Sequence, residues 1–245
     1  MIVAVGAWRG VGATTAALAL AAAFAELDTD TLLVEADPAG GVLTGRMAVP
    51  PEAVGGLEAV AFPALGAAPT LDDVAFPSCG VHIVTAPADP FRADACHRPR
   101  EPWVARLAPR PGTSVVDVGR LRGGTPARPV LDRADVLVVV LTPEVGGAVG
   151  TVEWVRAAGR VSPVDAELVG TEVRMLVVDA PCGVAFPRNT VESELGDLLV
   201  GWLPWDPAAV DLLQRGASFL DRRLRRTAFA AAAVQVCAAL PRGDT

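Results

Sequence analysis

The sequence predicts an α/β fold, a mostly parallel sheet flanked by helices on both faces. Short apolar runs alternate with helix-forming segments, as parallel strands joined by crossover helices require. The first run, Met1–Val5, leads into the alanine- and leucine-rich segment Thr15–Leu27, and a second run, Thr31–Val34, follows it. We expect a single domain over 1–245, because this length and apolar content suit one large core.

The remaining elements follow from the same patterns. Further strands are expected at the apolar runs Val81–Thr85, Ser114–Val118, Asp135–Leu141, Val173–Val178 and Leu198–Leu203. Helical segments are expected over Val145–Ala158 and over Ala208–Leu240, the latter interrupted near Gly216. Residues 46–80 are rich in Pro, Gly and Ala without clear periodicity, so we expect loops there with one or two short helices.

A glycine-rich turn, Gly6–Gly12, separates the first strand from the first helix. A helix opening near Ala13–Thr15 would aim its N-terminus and several backbone N–H groups at one point, a geometry suited to phosphate. The arrangement is that of a P-loop, although the pattern G-x-x-x-x-G-K-[ST] is not met. Ala13 stands at its lysine position and Ala7 at its first glycine position. The sequence therefore predicts a P-loop NTPase-like fold whose loop lacks its charge.

Acidic residues stand at the ends of two predicted strands. Glu35 and Asp37 follow the second apolar run, and Asp117 lies near the end of the run SVVDV, before a glycine-rich turn. Open α/β sheets place their ligands at the carboxyl ends of the strands. Both groups of carboxylates are therefore expected at the ligand-binding edge, and Asp117, before its glycine-rich turn, suits a water-mediated contact to Mg²⁺ in a nucleotide site.

Composition narrows the class of protein. The net charge is −7 and all 21 basic residues are arginines, which argues against the whole molecule binding a polyanion but leaves local basic patches open. No C-x-x-C pair occurs, so we expect neither a zinc site nor a disulfide framework from the scattered residues Cys79, Cys96, Cys182 and Cys237. No apolar stretch reaches transmembrane length, and a cleaved N-terminal signal would remove the first strand and loop. We expect a cytoplasmic protein.

Together these motifs resemble the ParA/MinD family of deviant Walker-A ATPases, over essentially the whole chain. The segment Trp8–Thr15, WRGVGATT, occupies the place of the family's loop K-G-G-x-G-K-T-T. LLVEADPAGG resembles the family's L-L-I-D-x-D-P-x-G, which places Glu35 and Asp37 at its two acidic positions. SVVDVG resembles the Walker B strand with Asp117, ADVLVVVLTPE the next strand, and GWLPWDPAAVDLLQRG the late I-P-x-D segment beside the adenine.

The resemblance implies ATP and Mg²⁺ as cofactors. It gives the residues around the nucleotide as Gly10, Val11, Gly12, Ala13, Thr14, Thr15, Asp179, Pro204 and Asp206. Magnesium would be held by Thr14, Asp37 and Asp117, and Asp37 would be the catalytic residue of an active enzyme. Asp179 stands where the family often has an adenine-reading Asn, and it lacks the amide donor.

The departures from the family decide the predicted function. The family's two lysine positions hold Trp8 and Ala13, which weakens phosphate binding and reduces hydrolysis further. We therefore predict a pseudo-ATPase with weak or no nucleotide binding that acts as a protein-binding localisation or assembly factor. TadZ/CpaE-like proteins of pilus and secretion systems are degenerate relatives of this kind, and division and partition machinery offers others.

Two alternatives remain open at this point. One is a slow ATPase with nucleotide-switched dimerisation, in which Arg9 or Arg120 replaces the missing lysines. The other is a non-specific DNA-binding partition-type protein.

The motifs are compatible with several kinds of partner. We expect an unidentified protein partner, and a homodimer is open, as is recruitment to a polar or membrane-associated assembly. The ring of Trp8 either fills the triphosphate space, forms a subunit contact or packs against a neighbouring loop. A basic cluster that could contact DNA or an acidic membrane, or simply form a solvated face, consists of Arg222, Arg223, Arg225 and Arg226.

Overall fold

The computed structural model describes residues 1–27, 30–64, 69–99, 103–107, 110–144, 149–150, 152–153, 171–181 and 184–241. Its strands are β1 (Ile2–Ala7), β2 (Thr31–Glu35), β3 (Phe76–Ser78), β4 (Val81–Val84), β5 (Thr113–Arg120), β6 (Val136–Leu141), β7 (Glu172–Asp179) and β8 (Leu199–Pro204). Its helices are α1 (Ala13–Glu26), α2 (Leu43–Arg46), α3 (Gly56–Ala61), α4 (Leu71–Val74), α5 (Pro90–Ala95), α6 (Arg128–Leu131), α7 (Arg188–Leu195), α8 (Pro207–Gln214), α9 (Arg222–Arg225) and α10 (Ala228–Ala239). Short 3₁₀ segments lie at Pro51–Ala53, Trp103–Arg106 and Gly196–Leu198.

The described strands form one sheet in the order β3-β4-β2-β5-β1-β6-β7-β8. Every neighbouring pair is parallel except β3 and β4, which are antiparallel. The predicted fold class is therefore confirmed.

Alternate residues of the central strands supply two cores, one on each face of the sheet. Val3 and Val5 of β1 belong to the core that includes α1 and α10. Ile2 and Ala4 of the same strand belong to the opposite core, together with Leu57 of α3. Because both faces are covered, the strands are apolar at nearly every position, which explains the continuous apolar runs in the sequence.

The prediction for residues 46–80 is incomplete. Short helices are present, as expected, but β3 also lies in this stretch and was not anticipated. Pro77 in the middle of β3 argues against a strand in sequence, and it is tolerated because β3 is an edge strand. A two-residue turn joins β3 to β4, with Cys79 at φ +47° and Gly80 at φ +81°.

The C-terminal prediction is confirmed in outline. The region expected to be helical from Ala208 to Leu240 contains α8, α9 and α10, and Gly216, at φ +91°, follows the end of α8. The helix expected over Val145–Ala158 lies mostly outside the described residues. No helix in the described ranges combines the length and apolar character that crossing a membrane requires.

Three strands bring the predicted site together. β5 lies between β1 and β2, and Glu35 at the end of β2 is in register with Asp117 of β5. The register of β1 with β5 shifts between Val5 and Gly6, and Gly119 adopts φ +64° at the end of β5. The carboxyl ends of these strands therefore meet the loop after β1 at one edge of the sheet.

Candidate functional site

A cleft of about 770 Å³ opens at this edge of the sheet. Three segments supply most of its wall: residues 9–14 after β1, residues 37–46 after β2 and residues 119–126 after β5. It is the position at which open α/β sheets bind ligands.

The loop after β1 has the conformation expected of a phosphate cradle. Gly12 is the N-cap of α1 and adopts the left-handed φ of +92°, and no side chain in the described structure caps the helix there. The free N–H groups of the first turn therefore remain for a ligand. Of the predicted residues, Gly10, Gly12, Ala13 and Thr14 line the cleft. Val11 packs against the core, and the half-buried Thr15 is not among the described residues that line the cleft.

Asp117 lies behind the cleft and is completely buried. Its Oδ1 accepts a hydrogen bond of 3.0 Å from the N–H of Gly119. Burial raises the pKa of Asp117 to about 7, and the nearby hydroxyl of Thr14 opposes that rise. Its Oδ2 nevertheless has no partner of acceptable hydrogen-bond geometry in the described structure. A buried carboxylate oxygen of this kind is costly unless a ligand completes it.

Asp37 is held beside the end of β5. Its Oδ1 accepts a hydrogen bond of 2.8 Å from the N–H of Ala39, and burial raises its pKa while Arg120 lowers it. A β-carbon on Gly119 would lie 2.0 Å from Cγ of Asp37, so only glycine permits this approach. The structure therefore brings Asp37, Asp117 and Thr14 to one end of the cleft.

These groups suit a shared magnesium site. No three His, Cys, Asp or Glu side chains in the described ranges are grouped closely enough to hold a metal ion by themselves. An ion here would need phosphate oxygens and water in addition to protein groups, which is how Mg²⁺ is commonly bound in nucleotide sites. The open Oδ2 of Asp117 and the hydroxyl of Thr14 fit that requirement.

Glu35 has a structural role that its place in the family motif did not indicate. It is 1% exposed, and its carboxylate accepts three backbone hydrogen bonds: from Val42 at 2.6 Å, from Leu43 at 2.8 Å and from Ala86 at 3.1 Å. Desolvation raises the pKa of Glu35, and these hydrogen bonds act in the opposite direction. Glu35 thus fixes the path of the segment after β2. The only sequence signal for this was an acid immediately before a flexible turn.

The residues expected beside an adenine lie apart from the cleft wall. Asp179 and Pro204 are in register at the ends of β7 and β8, so the structure brings them together. Neither they nor Asp206 are among the described residues that line the cleft. The carboxylate of Asp206 accepts a hydrogen bond of 2.9 Å from the N–H of Ala209 and caps α8, and Trp205 is 56% exposed.

Arg9 and Arg120, the two candidates for replacing the lysines, both line the cleft. Nη2 of Arg120 lies 3.2 Å from the position that a β-carbon on Gly10 would occupy. Sequence reasoning missed two further arginines of the cleft wall, Arg46 and Arg122. Their positions depend on how the segments after β2 and β5 fold back, which no local pattern encodes.

Trp8 does not line the cleft in the described structure. Its indole lies against Gly150, where a β-carbon would be 3.3 Å from Nε1. The ring therefore packs against a neighbouring segment, which was one of the expected alternatives, and the alternative in which it fills the triphosphate space is not supported.

The basic cluster lies at α9, apart from the cleft. Arg223 is ion-paired with Asp221 at 3.1 Å, so it contributes little net charge. Arg222, Arg225 and Arg226 are exposed. The surface is basic, but it is smaller than the sequence indicated.

A second, mostly apolar cavity of about 280 Å³ lies beside α7. Its walls include Val152, Phe186, Val191 and Leu195. It shares no described lining residue with the cleft.

Comparisons with known proteins bear on the fold. The sequence matches no protein-family profile, and no curated protein is similar to it in sequence. Solved structures do match. The cell division ATPase MinD of Pyrococcus furiosus is similar with a TM-score of 0.73 and 16% identity over 97% of each chain. A ParA family ATPase from Chlorobium tepidum gives a TM-score of 0.70 and 14% identity over 97% of each chain.

A third similar structure was solved with a nucleotide. The septum site-determining protein MinD of Pyrococcus horikoshii, complexed with Mg-ADP, has a TM-score of 0.71 and 16% identity, and the match covers 96% of this chain and 93% of that one. At such identities a structural match establishes the fold. The chain therefore has the fold of the ParA and MinD ATPases.

Proposed function

We propose that this protein is a degenerate ParA/MinD-like pseudo-ATPase, which binds a magnesium nucleotide weakly, hydrolyses it little or not at all, and acts through protein partners. The observation that carries the proposal is the contrast within the cleft. The glycine cradle, the hydroxyl of Thr14 and the unpartnered Oδ2 of Asp117 are retained, whereas Ala13 brings no charge to the loop.

The similar fold supports the ligand class. The Pyrococcus horikoshii protein is complexed with Mg-ADP, and in this chain the glycine loop and Thr14 line a cleft large enough for such a ligand, with Asp117 buried behind it. Magnesium, when bound, supplies charge neutralisation for phosphate oxygens. Thr14 and Asp117 would hold it, and the N–H groups at the start of α1 would bind phosphate.

Weak hydrolysis follows from the residues that are absent. Charge that develops on a transferring phosphoryl group is normally stabilised by a cation at the loop and by one that a partner supplies, worth on the order of 10³–10⁵ in rate. Ala13 cannot do the first, and Trp8, packed against Gly150, cannot do the second. If the protein were an active enzyme, Asp37 would be the residue that orients the attacking water.

The experiment is calorimetry with Mg-ATP, followed by a phosphate-release assay. We compare the unmodified chain with Thr14→Ala and with Ser193→Ala, an exposed hydroxyl on α7 that serves as the matched control. Measurable binding with negligible turnover is the expected result. If the chain hydrolyses ATP, and Thr14→Ala abolishes that turnover while Ser193→Ala leaves it intact, the protein is instead a slow ATPase. The observation that favours this alternative is the presence of arginines in the cleft wall.

The proposal also covers the partner and the site of action. The partner is a protein, with a homodimer as one form of assembly, and the site of action is cytoplasmic. DNA or acidic membrane contact through Arg222, Arg225 and Arg226 is the third candidate, favoured only by their exposure. A gel shift at several salt concentrations, repeated with these residues changed to Ala, tests it, because binding that the changes do not affect excludes the surface.

A further inference from the structure

Four of the described arginines line the cleft: Arg9, Arg46, Arg120 and Arg122, called here the cleft arginines. They come from three separate segments, the loop after β1, the end of α2 and the turn after β5. All four are exposed, and within the described structure none of their guanidinium groups forms a hydrogen bond or a direct ion pair. They are therefore available to an anion.

Most of the other described arginines are not available in this way. Arg92, Arg98, Arg110, Arg128, Arg174, Arg188, Arg215 and Arg223 all form ion pairs. The concentration of uncompensated guanidinium groups in one concave site therefore stands out from the rest of the molecule. Positive charge facing positive charge is unfavourable in the free protein, and an anion removes that cost.

The acids of the cleft do not cancel this charge. Asp94 also lines it but is ion-paired with Arg98. Asp37 accepts a backbone hydrogen bond from Ala39 and interacts with Arg120 only at longer range. The arginines therefore outnumber the acids among the described residues of the cleft wall.

Arg120 is the best placed of the four. Its Nη2 lies 3.2 Å from the position of a β-carbon on Gly10, and Arg120 is in register with Ala7, the last residue of β1. A guanidinium there faces the same space as the N–H groups at the start of α1. Arginine binds phosphate through two parallel hydrogen bonds, so it can serve where a lysine is absent. The buried and unpartnered Oδ2 of Asp117 lies behind the same space and independently indicates a missing ligand.

We propose that the cleft binds a polyphosphate-bearing ligand through Arg120, Arg46 and Arg122, so that arginines from outside the glycine loop replace its missing lysine. This inference rests on the proposed nucleotide binding and extends it. It specifies a ligand that carries three or more phosphate charges, in preference to a monophosphate, and it assigns binding roles to Arg46 and Arg122, which no motif identifies.

The test is calorimetry with two probes, Mg-ATP and inorganic tripolyphosphate, with AMP as the monophosphate comparison. The variants are Arg120→Ala, Arg120→Lys, Arg46→Ala and Arg122→Ala. The matched control is Arg215→Ala, whose exposed arginine pairs with Asp211 at 2.9 Å, outside the cleft. Because the cleft arginines are exposed, thermal unfolding should show that every variant folds.

We expect Arg120→Ala to weaken both polyphosphate probes by about ten- to hundredfold, the usual size of one charge-assisted contact. Arg120→Lys should recover part of the loss, Arg46→Ala and Arg122→Ala should lose less, and Arg215→Ala should lose nothing. Binding of both probes should weaken with added salt, and AMP should bind more weakly than either.

The other outcomes separate this inference from the proposed function. Unchanged affinity in all three alanine variants of the cleft would overturn the arginine site while nucleotide binding stood. A chain that binds tripolyphosphate through Arg120 but not Mg-ATP would support the arginine site and overturn the nucleotide. A chain that binds neither probe would overturn both.

Discussion

The carboxylate of Glu35 accepts a hydrogen bond of 2.8 Å from the backbone N–H of Leu43, the first residue of α2. The same oxygen accepts a second bond from Val42, and the other oxygen accepts one from Ala86. Through these contacts a buried acid determines the course of the segment after β2. That segment carries both Asp37 and Arg46 to the cleft.

The first prediction concerns this contact. Glu35→Ala leaves three backbone N–H groups without an acceptor in a buried site, so we expect the free energy of unfolding to fall by about 3–5 kcal/mol. Glu35→Gln keeps one acceptor oxygen and should lose less. Urea denaturation followed by circular dichroism measures both, with the exposed Glu52→Ala as control. If Glu35→Ala is as stable as the control, the acid does not organise the segment.

Substituting two glycines of the cleft, Gly12 and Gly119, distinguishes the cost of steric overlap from the cost of backbone strain. Gly12→Ala meets no atom within 4 Å, so it should cost only the left-handed backbone strain of about 1–2 kcal/mol. Gly119→Ala also places a β-carbon 2.0 Å from Cγ of Asp37, so it should cost about 3 kcal/mol or more and displace that carboxylate. Thermal unfolding of the two variants shows which substitution lowers the stability more. A smaller loss for Gly119→Ala would show that Asp37 moves away at little cost.

The sequence predicted the parts of the site that local patterns encode. The strand, glycine loop and helix around Gly12 are contiguous, and Asp117 ends an apolar run, so both could be placed without tertiary information. The wall of arginines could not, because Arg46 and Arg122 reach the cleft only once the loops after β2 and β5 fold against each other. β3 was missed for a related reason, since Pro77 is acceptable only at a sheet edge and the sequence does not reveal which strand is the edge.

His97 should make stability depend on mild acid. Its Nε2 donates a hydrogen bond of 3.0 Å to the carbonyl of Ala36, and its ring lies edge-on to Trp103. Burial lowers the pKa of His97 below its ordinary 6.5, although the hydrogen bond to Ala36 and the charge of Asp94 act against this. The native state therefore resists protonation, so the stability that neutral His97 provides is complete above pH 6.5 and is lost as the pH falls through the folded pKa.

His97→Gln tests this dependence, because the amide can still donate to Ala36 but does not titrate. Below about pH 6.5 the free energy of unfolding of the unmodified chain should fall more steeply than that of the variant. Both chains contain the same carboxylates, so the difference in their free energies of unfolding at each pH excludes the contribution of carboxylate titration. If the free energies of unfolding of the two chains change equally with pH, the pKa of His97 is the same in the folded and unfolded states.

The buried thiols should be unreactive in the folded protein. Cys79, Cys96 and Cys237 are each 3% exposed or less, and desolvation raises their pKa values, to about 12 for Cys79 and to about 11 for Cys96. The thiolate is the reactive form, so both access and ionisation oppose reaction at neutral pH.

Ellman's reagent measures this on a Cys182→Ser chain, since Cys182 lies outside the described residues. The three remaining thiols should react about a hundredfold or more slowly in the native protein than in guanidinium chloride. Because Cys79 and Cys237 lie in the same core as α1, a ligand that stabilises the folded state should slow their reaction further in proportion to its binding. A thiol that reacts at once under native conditions, at a rate insensitive to tripolyphosphate, would show that its part of the core opens independently of the cleft.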